Sequence, residues 1–452
     1  MGGLILLGSL SDETWQDSEP NLAVNPANPL HIAASAFTRD PMGGPNAPIY
    51  VSADGGRTWS LNFIVPSQAM TGDITLKFSP NTNVLYAGIL RVPATGTRLN
   101  ILRTKNFLGP SQMSVLVDRA GVDQPWVEAQ SLVASSGVAR DRVYVGSNDF
   151  QAPGGRTASV DRSLSAAASG AFKTLRVEPR GTSGQNGPQT RLAGHADGTI
   201  YATYYGWRSF DRVTREVVAD VVVARDDNWA AGATTFSSLR DAADGLPGAH
   251  VARSVQFQWN HFLGQQRTGG HLSLAVDPRN SSTVYLAWGD RRSGAYTLHL
   301  RRSGDRGQTW SASDLRTQPS AINGALAVNG QGVVGLLFQE LRQVNGVSRW
   351  ITQFETSANQ GATWSNAVLA TVPAQIPART FDPYIGDYAD LQAVGNDFHG
   401  VFSTGNEPDQ ANFPQGVRYQ RNHNFSERTL LGLNGSSPVA VSIDPFFFRA
   451  VI

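Results

Sequence analysis

The sequence predicts an all-β protein made of repeated small sheets, and three features of its 452 residues indicate this fold class. One octapeptide pattern, Ser-x-Asp/Asn-x-Gly-x-Thr-Trp, occurs three times at distant positions. Short alternating apolar segments recur seven times, each after a strand of small residues and a turn rich in Pro, Asn, Asp or Gly. The chain also has 46 Gly and only 16% charged residues, which fits short strands joined by many turns. Such self-similarity is typical of repeat folds.

Each fixed position of the octapeptide has a physical reason. A short polar side chain at the third position can accept backbone N–H groups across a tight turn. Glycine at the fifth position tolerates a positive φ. The Trp at the eighth position can anchor the next strand, so we expect these three rings to be largely buried. The copies are residues 52–59, 303–310 and 357–364, with Asp54, Asp305 and Asn359 at the third position and Trp59, Trp310 and Trp364 at the eighth.

The octapeptide resembles the Asp box, or BNR repeat, of the sialidase superfamily, which is a motif of β-propeller blades. The resemblance implies a β-propeller with these turns on its outer rim, away from any active site. We therefore assign the octapeptides a structural role. Sialidases have six blades, whereas the seven apolar hairpins in this sequence predict seven, with six as the alternative.

We predict that residues 1–452 form one propeller domain. The longer interval between the fourth and fifth hairpins predicts an inserted loop over residues 239–266. The apolar end of the chain, Val439–Ile452, is predicted to be the outer strand of the last blade and to pair with Leu4–Leu7. Such a pairing would close the ring and protect its edges. The predicted blades cover approximately residues 19–60, 70–108, 122–176, 185–238, 268–314, 320–368 and 384–449.

The composition argues against several classes of function. The formal net charge is +1 and no basic stripe is present, so we expect neither nucleic-acid binding nor membrane insertion. The absence of cysteine excludes disulfides and thiolate metal sites, and the eight His residues lack zinc-ligand spacing, so we predict no resident metal or cofactor. Calcium at an acidic channel mouth is the alternative. We expect a secreted or extracellular protein, with any signal peptide outside this chain.

Acidic residues recur just before the predicted inner strands. These loops should share one face with the loops that follow the second strands, opposite the octapeptides. Acids and arginines converging there could bind a hydroxylated or anionic ligand, although local ion pairs on a polar rim would explain them equally well. The repetition favours a catalytic role for Asp73 and Asp123. The predicted ligand-binding residues are Glu19, Arg91, Asp149, His271, Arg291 and Asp387, and Asn323, Arg39 and Asp40 occupy related positions.

The resemblance to sialidases implies a further set of roles. In that family, three arginines hold a carboxylate, an Asp is the acid/base, and a Tyr activated by a Glu is the nucleophile. Tyr384, with Tyr388 nearby, lies late in the chain as the family order requires, and Glu340 precedes it. Packing between blades, with its hydroxyl satisfied, is the other interpretation of Tyr384. The family's early Arg-Ile-Pro signature is missing before the first octapeptide.

Three functions remain open from the sequence. The first is glycoside hydrolysis of sialidase type at the channel face, with Asp73 or Asp123 as acid/base. The second is non-catalytic, lectin-like glycan binding. The third is a rigid platform for a protein partner, because a propeller fold does not fix function.

Overall fold

The computed structural model describes residues 4–38, 44–134, 136–166, 171–292 and 294–452. Within these ranges the only helical element is a 3₁₀ turn at Gln410–Asn412, and no helix there is long and apolar enough to cross a membrane. The described residues form seven four-stranded antiparallel sheets, named I to VII here, and two smaller sheets. The predicted all-β propeller is confirmed.

Sheets I to III follow one another along the chain, after a first strand that belongs to sheet VII. Each has its strands in sequential order, so each is a meander. The first strand is β1 (Ile5–Ser9). Sheet I comprises β2 (Ser18–Val24), β3 (Ile32–Phe37), β4 (Asn46–Ser52) and β5 (Ser60–Pro66). Sheet II comprises β6 (Met70–Phe78), β7 (Leu85–Val92), β8 (Arg98–Thr104) and β9 (Ser114–Ala120). Sheet III comprises β10 (Val122–Val133), β11 (Ala139–Asp149), β12 (Thr157–Ser163) and β13 (Lys173–Arg176).

Sheets IV to VI repeat this meander, with one small hairpin between IV and V. Sheet IV comprises β14 (Arg191–Gly194), β15 (Ile200–Phe210), β16 (Glu216–Asp226) and β17 (Ala249–Gln258). The hairpin comprises β18 (His261–Leu263) and β19 (Gln266–Thr268). Sheet V comprises β20 (Leu272–Asp277), β21 (Asn280–Asp290), β22 (Thr297–Ser303) and β23 (Arg316–Pro319). Sheet VI comprises β24 (Ala321–Val328), β25 (Val334–Val344), β26 (Val347–Ser357) and β27 (Ser365–Pro373).

Sheet VII joins the two ends of the chain. Its order is β28, β29, β33, β1, and Ile5 pairs with Ala450 across the last two strands. The expected pairing of the termini is therefore present, but β33 is the third strand and β1 is the outermost. Besides β1, sheet VII comprises β28 (Asp390–Val394), β29 (Asp397–Gly405) and β33 (Ile443–Ala450). Between β29 and β33 the chain forms a separate small sheet of β30 (His423–Asn424), β31 (Thr429–Leu431) and β32 (Pro438–Val439).

The innermost strands enclose a central channel. Each of β2, β6, β10, β14, β20, β24 and β28 contacts the next, and β28 contacts β2, so the ring closes. The hydrophobic core lies between the faces of neighbouring sheets. Between sheets VI and VII, for example, the ring of Phe354 lies 5.4 Å from that of Phe398 and 5.1 Å from that of Phe448.

Two predicted boundaries need correction. Residues 239–266 are not an inserted loop, because Ala249–Gln258 is the outermost strand of sheet IV and Phe257 pairs with Val217. Its apolar pattern was masked by polar residues that face outward in alternation. Sheet II likewise extends beyond residue 108, since Ser114–Ala120 forms its fourth strand. None of its residues is fully buried, so its sequence carries little apolar periodicity.

The three octapeptides form the turns between the third and fourth strands of sheets I, V and VI, as predicted. In the first copy, Asp54 accepts the backbone N–H of Thr58 at 3.0 Å and the hydroxyl of Thr58 at 2.6 Å. Gly56 has φ +83°, and a Cβ there would lie 2.2 Å from Phe447, so glycine is required on both counts. Burial of the tryptophans is confirmed only in part: Trp59 is buried, whereas Trp310 and Trp364 are half-buried.

Candidate functional site

β-Bulges begin the inner strands of sheets I, II, III and VI. In each, two residues oppose one on the neighbouring strand, and such a bulge re-aims side chains. The bulged pairs are residues 19–20, 72–73, 124–125 and 323–324. Glu19 is thus the first bulge residue, Asp73 is the second, and Asp123 immediately precedes the bulge. The three acids are not at equivalent positions, as the sequence alignment had assumed, but consecutive positions around the bulge.

The structure nevertheless brings four predicted acids together at one end of the channel. We call Glu19, Asp73, Asp123 and Asp387 the acid cluster. The carboxyl groups of Glu19 and Asp73 are in hydrogen-bond contact, and Asp387 acts electrostatically on Glu19, Asp73 and Asp123. His271 lies at the edge of the cluster near the Asp387 backbone, but neither of its buried ring nitrogens has a hydrogen-bond partner among the described residues.

A basic residue that sequence reasoning missed contacts the acid cluster. Arg267, on the β18–β19 hairpin, forms an ion pair with Asp387 and lies 3.9 Å from Glu19. The neighbouring Gln266 accepts the backbone N–H of Ile385 at 2.7 Å, which fastens the hairpin to the segment that carries Asp387. The unusually long interval between the fourth and fifth apolar hairpins was the available signal for this residue.

Burial sets the proton affinities of the acid cluster. Burial, followed by the charges of Asp73 and Asp387, raises the pKa of Glu19 well above its usual range. Burial also raises the pKa of Asp73, although hydrogen bonds from Glu19 and Tyr388 oppose the shift. Burial and the charge of Asp73 raise the pKa of Asp123 to about 7. Two carboxylates in contact cannot both ionise easily, and this mutual repulsion adds to the raised pKa of Glu19.

Tyr388 is the tyrosine that reaches the acid cluster. Its hydroxyl donates to Asp73 Oδ1 at 3.0 Å. Burial and the charge of Asp73 raise the pKa of Tyr388 well above its usual value, so it stays protonated. Its ring meets Trp126 edge-on at 5.7 Å.

The end of the central channel meets the acid cluster at Trp126. The channel has a volume of about 390 Å³ and is lined by all seven inner strands, including Trp126 and Arg191. The guanidinium of Arg191 lies 3.4 Å from the centre of the Trp126 ring and 5.4 Å from that of Tyr388. One continuous stack of side chains therefore links the channel to Asp73.

Three other predicted ligand-binding residues lie elsewhere. Asp149 accepts from Arg119 at 3.0 Å, within sheet III and the adjoining edge of sheet II. Arg91 contacts Asn100 at 3.4 Å on sheet II, and Arg291 donates to Gln258 at 3.0 Å. Arg91 and Asp149 lie on the second strands of their sheets and form local ion pairs, as the alternative interpretation held, whereas Arg291 contacts the amide of Gln258. Arg39 and Asp40 lie outside the described residues.

The predicted pairing of Tyr384 with Glu340 is wrong. Tyr384 is buried, and its hydroxyl donates to the carbonyl of Pro377 at 2.7 Å. Glu340 instead accepts from Gln318 of sheet V and from Gln353 of sheet VI, and it is paired with Arg342. Tyr384 therefore has the packing role that the sequence left open, and Tyr388 occupies the position beside a carboxylate.

A set of closely spaced potential metal ligands occurs at a different place. Within the described ranges, one group of three potential ligands has its donor atoms within 4.8 Å of one another, and it consists of Asp241, Asp244 and His250. Arg253 pairs with Asp241 at 2.6 Å, and Arg180 pairs with Asp244 at 2.7 Å. Protein cations thus already neutralise these carboxylates.

Comparisons with known proteins identify the fold. No protein-family model matches the chain, and no curated protein matches it significantly in sequence. Among solved structures, it resembles a family 25 polysaccharide lyase, an ulvan lyase bound to a GlcA–Rha3S oligosaccharide, with TM-score 0.50 and 12% identity, covering 87% of this chain and 92% of the lyase.

Two glycoside hydrolases are more distant. The first is a Niastella koreensis GH74 enzyme with TM-score 0.38 and 13% identity, covering 93% of this chain, which spans only 64% of that enzyme. The second is an α-L-arabinofuranosidase of Fusarium graminearum with TM-score 0.42 and 9% identity, covering 99% of this chain and 97% of that enzyme. At such identities the likeness concerns the β-propeller fold alone.

Proposed function

We propose that the acid cluster is the active site of a glycoside hydrolase acting on a glycan without negative charge. The observation that carries the proposal is a pair of carboxyls in hydrogen-bond contact, Glu19 and Asp73, both with a raised pKa, beside a third carboxyl, Asp123, whose pKa burial raises to about 7. Two carboxyls held in different protonation states are what glycoside hydrolysis requires. The likeness to a polysaccharide lyase supports a glycan as the ligand, and the site chemistry selects the reaction.

The three carboxyls divide the work between acid and base. The Glu19–Asp73 pair supplies the proton that the leaving oxygen takes up as the glycosidic C–O bond breaks. The Asp123 carboxylate accepts a proton from the attacking water, whose oxygen bonds to the anomeric carbon. Tyr388, held protonated, stabilises the charge on Asp73 rather than acting as a nucleophile.

The charge of the site argues against an anionic substrate. Among the described residues, Arg267 is the cation that contacts the acid cluster, and Asp387 already pairs with it. A sialic acid or uronate carboxylate bound among these acids would need a free arginine there, whereas Arg191 faces the channel beyond Trp126, and the carboxylate would be repelled by the remaining acids. The three-arginine arrangement implied by the resemblance to sialidases is therefore not part of the proposal.

The test compares neutral and anionic glycans on one preparation. We expect hydrolysis of a neutral aryl glycoside or polysaccharide, and no turnover of sialosides or uronides. Glu19→Gln and Asp73→Asn should each lower kcat/KM by at least about 100-fold, as for loss of a general acid. Asp149→Asn is the matched control, because Asp149 is equally buried but lies outside the acid cluster.

Each outcome of this test is informative. Activity retained in both cluster variants would remove the acid cluster from catalysis. Hydrolysis or elimination restricted to anionic glycans would refute the charge argument. Glycan binding without turnover would leave a lectin-like propeller. Binding of neither substrate nor glycan would favour the protein-partner platform. Repeating the assays with added calcium and with a chelator tests whether the acids hold that ion.

A further inference from the structure

The central channel contains a buried cation with free hydrogen-bond donors. Arg191 is 6% exposed and lines the channel wall. Its Nη2 donates to Gln189 Oε1 at 3.3 Å, while its Nε is buried without a hydrogen-bond partner. A guanidinium has five N–H donors, and an unpaired one in the interior costs free energy. Donors of Arg191 therefore remain available to a ligand in the channel.

The acids nearest to Arg191 do not neutralise it. Asp390 and Asp73 act on it electrostatically, but no ion pair within 4.0 Å joins Arg191 to a described carboxylate. Asp390 instead accepts from Asn21 at 3.1 Å and from the backbone N–H groups of Leu22 and Leu391 at 3.2 and 2.9 Å. Burial lowers the pKa of Arg191 to about 10, so it is still charged at neutral pH.

The orientation of Arg191 is fixed by stacking. Its guanidinium lies 3.4 Å from the centre of the Trp126 ring, a close cation–π contact. A planar guanidinium whose face is stacked on a ring has its N–H donors pointing outward in the plane of the group. Two of these donors form a fork that can bind the two oxygens of an oxyanion at once. Lys77, the channel's other basic side chain with a fixed charge, is 3.4 Å from Glu128 and so already has its counter-ion.

We propose that the central channel binds a small oxyanion, a carboxylate or a sulfate, in a bidentate contact with Arg191. The ligand enters from the face that carries the octapeptide turns, because the opposite end of the channel meets Trp126 and the acid cluster. The volume of about 390 Å³ limits the ligand to a small molecule or one charged group of a larger one. This site is distinct from the acid cluster, and its occupancy can be measured without any glycan substrate.

The experiment is calorimetric titration of the full chain with malonate and, separately, with sodium sulfate, each against chloride at equal ionic strength. The two arms distinguish a carboxylate from a sulfate ligand. We expect saturable one-site binding to wild type, and at least a tenfold weaker affinity for Arg191→Gln. Arg191→Lys keeps the charge but not the fork, and should also weaken binding by tenfold or more. Lys77→Gln, which removes a cation from the same channel, should change affinity by less than about threefold.

Because the Arg191 variants could lose binding by misfolding, a second measurement uses the wild-type protein. Crystals soaked in selenate should give an anomalous peak beside the Arg191 guanidinium. No saturable heat with either anion, a selenate peak elsewhere, or loss of binding in Lys77→Gln but not in Arg191→Gln would each overturn the proposal.

Discussion

Replacing Asp123 by Asn should stabilise the protein at alkaline pH and have little effect near pH 4. Burial and the charge of Asp73 raise the pKa of Asp123 from its ordinary value of 3.8 to about 7. Because the folded state binds this proton more tightly, the stabilisation is complete below pH 3.8 and is lost as the pH rises through about 7. The full shift corresponds to about 4 kcal/mol, an upper limit that screening at this half-buried site reduces.

Asparagine removes this cost while keeping one native contact. The backbone N–H of Gln124 donates to Asp123 Oδ1 at 2.9 Å, and an amide oxygen can accept the same bond. We therefore expect Asp123→Asn to gain about 2–4 kcal/mol over wild type at about pH 8, less at about pH 6, and almost nothing near pH 4. The free energy of unfolding would come from urea titrations followed by tryptophan fluorescence.

Asp149→Asn is again the control. Asp149 accepts from Arg119 at 3.0 Å, so its neutralisation should destabilise the fold rather than stabilise it. The reasoning about Asp123 would be refuted if the difference between Asp123→Asn and wild type did not grow with pH. A variant less stable than wild type at about pH 8 would refute it too.

Three further predictions concern the scaffold. Burial opposes protonation of His299, but hydrogen bonds to Asp290 and Asp314 outweigh it and raise the pKa of His299 to about 9. Protonated His299 therefore stabilises the fold fully below pH 6.5, and this stabilisation is lost as the pH rises through about 9. The free energy of unfolding of His299→Gln, measured by urea titration, should not show that loss. Trp59→Ala should lower the free energy of unfolding by about 3–5 kcal/mol, and Trp310→Ala should lower it by about half as much, because Trp310 is only half-buried. Equal losses in the two variants would contradict this. Asn359→Asp should raise the melting temperature slightly, by restoring a charged acceptor for the Thr363 N–H now 2.9 Å from Asn359; a lower melting temperature would exclude this.

The fold was predictable because its signals are local. The hydrogen bonds from Thr58 to Asp54 recur between Thr309 and Asp305, and each lies within one turn of chain. Such contacts leave a fixed spacing in the sequence, and the alternating apolar strands add a period of two. The outermost strands were less predictable, since Ser114–Ala120 has no fully buried residue and Ala249–Gln258 mixes its buried apolar residues with polar ones.

The candidate site was predictable only in part because its contacts are long-range. Glu19, Asp73 and Asp123 were found because each lies at the start of an inner strand, and every inner strand converges on the axis. Arg267 meets Asp387 across 120 positions of the sequence, through a hairpin that has no counterpart in the other repeats within the part of the chain that the structure describes. No periodicity can report such a contact, and only the irregular spacing of the repeats pointed to that region.

The acid cluster works against stability, and the closed ring is what holds it. Glu19 and Gln124 adopt φ of +51° and +54°, a region that costs side-chain-bearing residues free energy and persists only where the surroundings over-determine it. Ionising the buried acids, whose pKa values are raised, also lowers the free energy of unfolding. Pairing of β1 with β33 gives the ring no free end through which these strands could relax. The buried acids, together with the positive φ of Glu19 and Gln124 beside them, therefore support the proposed functional role of this channel mouth more strongly than any one acidic residue does.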